Sequence, residues 1–124
     1  MKKYLNAIVI LISLATMASG ITQVAAPGYV LELIGATVTD TSAHFFAIIG
    51  MFMTLFGGLM LQALYSARPQ HPAVLWSALQ KLGAAIAVGL GMYHGIFGMI
   101  AGTVAVFDLF SGIVFLYYLK TMDK

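Results

Sequence analysis

His44, His94 and Asp108 stand inside otherwise apolar stretches of this 124-residue chain, and their side chains are the ones best suited to chemistry. Imidazoles and a carboxylate can hold a proton or ligate a divalent cation, and two imidazoles at one level on neighbouring helices can ligate a haem. Counting from the turns places all three at similar height. His44 and His94 flank the loop at Pro69 almost equally, and His94 and Asp108 are equally far from Ala101. An ionised carboxylate in hydrocarbon costs several kcal/mol unless paired, so Asp108 is expected to take a partner such as His94 or to be protonated. The competing reading is an interhelical hydrogen-bonded cluster that fixes packing, worth roughly 0.6–2 kcal/mol per bond.

Other chemistry is harder to build. There are no cysteines, which removes disulfides, thiolate metal sites and CxxC redox chemistry. No HExxH spacing supports a zinc site, no serine has a GxSxG setting, and no carboxylate pair has glycosidase spacing. No catalytic residue, resident metal or cofactor is therefore expected. Met51, Met53, Met92 and Met99 read as filler of an apolar interior rather than a soft-metal path. Gly57-Gly58 follows no strand and carries no phosphate-binding pattern, so it reads as a packing element.

The elements that must position these residues are membrane spans. Hydrophobic residues make up 61% of the chain and charged ones 8%, against roughly 25% charged in a soluble domain. The first apolar run, about residues 4–26, has the length needed to cross a hydrocarbon core. Its Lys2-Lys3 start and small residues at Met17-Ala18-Ser19-Gly20 resemble a signal peptide, but the run continues through Ala26, and a retained helix is expected. Pro27-Gly28 should end it. Tyr29–Thr41 is too short to span and reads as a short interfacial helix and loop. Thr41 or Ser42 should then cap a second span, about 42–67. The polar loop Arg68-Pro69-Gln70-His71-Pro72 leads into a third, about 72–98, with Pro72 as its first residue. A turn at Gly98–Gly102 precedes a fourth, about 103–119.

The expected fold is all-α: a single domain, residues 1–124, forming an integral membrane antiparallel four-helix bundle. In the third span Gly83, Ala87, Gly91 and Gly95 recur at four-residue spacing, a pattern that lets helix backbones approach closely in lipid. Trp76 and Lys81 are expected as interfacial anchors, the lysine snorkelling toward headgroups. Facing residues are expected to be His44, Met51, Leu55, Gly58 and Gln62 in the second span, and Asp108, Gly112 and Phe115 in the fourth, with Ser111 beside them. In the first, Asn6, Ser13, Met17 and Gly20 align. Lys2, Lys3, Arg68, Lys81, Lys120 and Lys124 fall on one side, which the positive-inside rule makes cytoplasmic. The basic residues sit at segment ends and form no patch suited to nucleic acid.

The Arg68-Pro69 loop followed by LWSALQKLGA, and FDLFSGIVFLYYL in the last span, resemble small four-helix bacterial inner-membrane proteins of the DoxX-like, uncharacterised kind. The resemblance implies an antiparallel bundle and an auxiliary role. The first span lacks the glutamate on which small multidrug exporters depend, and quinone reductases of this topology require the missing cysteines.

These features point to a non-enzymatic accessory or structural protein of a bacterial cytoplasmic membrane. It would pack with itself or a membrane partner in the lipid bilayer. The alternatives are a small transporter or ligand-binding protein with an outward-facing pocket of His44, His94 and Asp108, and a haem or metal redox anchor. Because the chain is cysteine-free, topology is directly testable. Single cysteines at Lys3 and Thr121 should react with a membrane-impermeant maleimide only when the cytoplasmic face is exposed, and one at Thr37 only from the opposite face.

Overall fold

The computed structural model describes residues 2–122. Lys124, counted among the flanking bases, lies outside the described residues, as does the side chain of Lys2. The described chain is all-α: α1 (Lys2–Ala25), α2 (Pro27–Leu33), α3 (Asp40–Tyr65), α4 (His71–Tyr93) and α5 (Ile100–Met122). Helices α1, α3, α4 and α5 are each long and apolar enough to cross a membrane.

Local chemistry sets the boundaries. Pro27, which cannot donate an amide hydrogen bond, closes α1 and sits in the first turn of α2, where that bond is not required. The α3 cap is Thr39, earlier than Thr41 or Ser42. Thr39 Oγ1 accepts from the Ser42 amide at 3.0 Å, and Ser42 Oγ accepts from the Thr39 amide at 2.9 Å, a reciprocal capping box. Helix α4 begins at His71, with Pro72 following in the first turn. It ends at Tyr93 and not near Gly98, because Gly95 takes a left-handed conformation, φ 72°. The amides of Ile96 and Phe97 then turn back to the Gly91 carbonyl.

Gly35 and Gly98 join α2 to the α4–α5 turn. The Gly98 amide donates to the Ile34 carbonyl at 2.6 Å. Gly35 has φ 76°, and a Cβ there would lie 2.7 Å from the Gly98 nitrogen. Both the backbone angle and the close approach require glycine. The α1–α3 connection and the α4–α5 turn therefore occupy one end of the molecule.

The helices associate as two pairs, α1 with α3 and α4 with α5, and contacts between the pairs are much fewer. In the first pair Gly20 meets Gly50 and Thr54, while Gly57 meets Ser13 and Met17, so the two helices run in opposite register. A Cβ at Gly50 would lie 2.6 Å from the Gly20 carbonyl oxygen, and one at Gly57 2.8 Å from that of Ser13. In the second pair, a Cβ on Gly112 would lie 2.6 Å from Leu82 Cδ2. All four long helices meet in a core of Val9, Ile12, Met60, Val74, Ala78 and Phe115, with Leu5, Leu64, Leu119 and Met122 against it. Those positions place the core at the end nearest the 66–70 loop. The molecule is packed there and splays toward the end that carries α2.

Packing of α4 on the other long helices thus does not use Gly83 and Ala87 of the stripe. Gly83 and Ala87 are exposed, and nothing lies within 4 Å of a Cβ on Gly83. The Phe97 ring covers Gly91, and Gly95 belongs to the turn. The buried residues of α4 are Val74, Ser77, Ala78 and Lys81 on the face toward the other helices, and Gly91 under the Phe97 ring. Two helical residues subtend about 200°, so burying Lys81 turns Gly83 outward. In α3 the buried residues are Gly50, Gly57 and Met60, one position away from Met51 and Gly58, while Met51 and Leu55 are exposed. The α5 face agrees with the sequence reading: Asp108, Ser111, Gly112 and Phe115 are all buried.

Gly57→Val should cost about 1–3 kcal/mol, the range for overpacking a fitted contact. Gly58→Ala, which meets nothing within 4 Å, should be neutral or stabilise by up to about 1 kcal/mol through helix propensity. Unfolding titrations in mixed micelles distinguish the two.

Candidate functional site

The site is built from α1, α4 and α5 at the boundary between the packed and splayed ends. Lys81, near the middle of α4, is only 3% exposed, and Asp108 on α5 only 8%. The Lys81 ammonium donates to Thr16 Oγ1 on α1 at 2.5 Å and to Asp108 Oδ1 at 3.4 Å. Thr16 spends its own proton on the Ile12 carbonyl at 2.8 Å, leaving oxygen lone pairs to accept from the lysine. The ammonium also lies 5.2 Å from the centroid of the Phe107 ring, within cation–π range. The pair therefore joins the two helices of one hairpin and ties them to α1 of the other.

Beside this pair an open cavity of about 460 Å³ lies between α1 and α5, with Val30 of α2 and Met53 of α3 also contributing to its wall. Most of its lining surface is apolar, and its polar positions are Thr16, Ser19, Thr22, Gln23, Lys81, Thr103 and Asp108. The size suits a small molecule, and the polar residues spaced along an otherwise apolar wall could orient the polar groups of an occupant. Gln23 is held by a hydrogen bond from Nε2 to the Phe46 carbonyl at 3.0 Å, which bridges α1 to α3 at the cavity wall. The lining runs from mid-helix toward the α2 end, so we term the cavity the vestibule.

The structure separates the residues that the sequence grouped. Asp108 is on the vestibule wall, but its partner is Lys81 and not His94. His94 is the exposed residue that follows α4, its ring edge-to-face with Tyr93 at 5.4 Å between centroids. His44 is exposed and lines a different, apolar groove with Ile21, Val24, Ala47 and Met51. Neither imidazole lines the vestibule, and among the described residues no group of three or more His, Cys, Asp or Glu is placed to hold a metal ion. Lys81 is not an interfacial anchor, because a carboxylate and a hydroxyl within the bundle take its charge. Trp76 is exposed on the outer face of α4.

A sequence cue for the true pair exists. Lys81 and Asp108 are equidistant from a turn centred at His94-Gly95, where the chain does reverse. Placing the turn at Gly98–Gly102 instead matched Asp108 with His94.

Fold and site together define an all-α chain with four helices of membrane-spanning length and an ion pair buried between them. Neither family models, nor curated proteins, nor solved structures give a match to it.

Removing one member of a buried pair strands the other. Lys81→Met and Asp108→Asn should each destabilise the protein by about 3–5 kcal/mol. The double variant Lys81→Met/Asp108→Leu should recover most of that loss, as thermal unfolding in detergent would show.

Proposed function

We propose that this chain is a non-enzymatic integral protein of a bacterial cytoplasmic membrane, an antiparallel four-helix bundle with both termini cytoplasmic, which binds or transports a small polar molecule. The vestibule carries this reading: a ligand-sized cavity whose inner wall holds a charged pair that lipid alone would exclude. Ionisable groups within a span are costly, and they are kept where they meet substrate, ion or each other. The orientation is supported by Lys3, Arg68 and Lys120 at one end and Glu32 and Asp40 at the other. The vestibule then faces outward, and the packed core closes the cytoplasmic side. The DoxX-like resemblance supports the four-span architecture and carries nothing about the ligand.

A second reading is favoured by the outward Gly83 and Ala87 face of α4. It is the accessory or structural role, in which a second copy or another membrane protein packs on that face and Lys81–Asp108 serves only to clamp the hairpins.

Thiol accessibility in the cysteine-free background separates the two. With the protein in lipid vesicles, Ser19→Cys and Thr103→Cys should react readily with a charged thiosulfonate added at the α2 face, while Ser13→Cys in the packed half should not. Protection of both vestibule cysteines would mean that lipid or protein fills the seam, which contradicts a ligand vestibule and supports the structural role.

A further inference from the structure

A second, much smaller space lies on the packed side of Lys81. It has a volume of about 10 Å³, lined by Ser13, Thr16, Ser77, Gln80 and Lys81 together with Phe56, Gly57, Met60 and Phe115. That is close to the least room a single water needs, and it suits nothing larger. Genuinely empty cavities are apolar, whereas this one gathers polar side chains from α1 and α4.

Ser77 behaves unlike the other buried hydroxyls. Ser13, Thr16 and Ser111 each donate to the carbonyl four residues earlier, at 2.7–2.8 Å. Ser77 is 1% exposed, and its Oγ has no hydrogen-bond partner. Gln80 Oε1, on the same wall, is the other buried side-chain atom left without a partner among the described residues. An unsatisfied buried polar atom costs about 1–3 kcal/mol, and two on residues that line one small space point to a common explanation. Lys81 supplies the remaining capacity. Its ammonium has three protons, and Thr16 and Asp108 engage two.

We propose that this space is a binding site for one ordered water molecule, which donates to Gln80 Oε1 and accepts from Ser77 Oγ and from the third proton of the Lys81 ammonium. The water completes the lysine's hydrogen bonding on the side away from the vestibule. Thr16 and Lys81 line both spaces, so the ammonium stands between the water and the vestibule and divides one from the other. The site does not depend on what the vestibule binds.

Water-edited solid-state NMR of the protein in lipid bilayers tests this. Transfer from water should reach the Gln80 side chain as it reaches Ser19 and Thr22 in the vestibule, while Val9 and Val74 in the core receive none. Ser77→Val, which fills the space, should abolish transfer at Gln80 and leave it intact at Ser19 and Thr22. The proposal is overturned if Gln80 in the unaltered protein receives no more than Val9 does. It is also overturned if a high-resolution structure shows Ser77 Oγ donating to the Ala73 carbonyl with the space closed. Failure of the vestibule reading would appear separately, as absent transfer at Ser19 and Thr22.

Discussion

The ion pair between Lys81 and Asp108, with Thr16 accepting from the same ammonium, is the constraint on which the rest of the structure depends. Buried among apolar helices neither charge can be left alone, so each must find the other at one level and on facing surfaces. That requirement fixes the rotation of α4, which has to present Val74, Ser77, Ala78 and Lys81 inward and so turns Gly83 and Ala87 outward. It fixes the register of α4 on α5. Through Thr16 it also draws α1, and with it the α1–α3 pair, against α4.

Two kinds of association are at work. Within the α1–α3 pair, Gly20, Gly50 and Gly57 let backbones approach until a single added carbon would collide with a carbonyl. Such contacts rest on dispersion and fit, which remain effective where lipid removes the hydrophobic drive between helices. Between the pairs there is less surface in contact. At one end Val9, Met60, Val74 and Phe115 close the seam with apolar packing, and at the other the helices part to form the vestibule. The charged pair sits where packing gives way to open space. It is the position from which a buried charge can be reached by a small molecule while its other side remains enclosed.

Much of the architecture was legible in the sequence because four long apolar runs, each bounded by polar residues, proline or glycine, mark four long helices. The short second helix and the proline-bracketed loop also stood out, since proline and glycine restrict the backbone locally. The inward face of α5 was readable because Asp108 is the one charge in the body of that helix and Ser111 and Gly112, one turn further on, are small. The inward face of α3 was not: it has no charge within the span, and Gly57 and Gly58 are equally small, so spacing could not decide between faces one residue apart. The pairing of Asp108 is hidden in the sequence for a different reason. Lys81 has enough apolar stem to snorkel, which concealed it as a partner, and a turn with several glycines allowed the reversal to be placed a few residues late. With the reversal at Gly95, where φ is positive, the level of Asp108 on α4 is that of Lys81.

The most direct measurement is the through-space coupling between the Lys81 side-chain nitrogen and the Asp108 carboxyl carbon, by selective ¹⁵N–¹³C dephasing in lipid bilayers. The account predicts strong dephasing, as required by a 3.4 Å contact between Nζ and Oδ1. If the lysine nitrogen showed no coupling to that carboxyl and instead dephased against lipid phosphate, Lys81 would be a headgroup anchor, and the arrangement of α4 described above would be wrong.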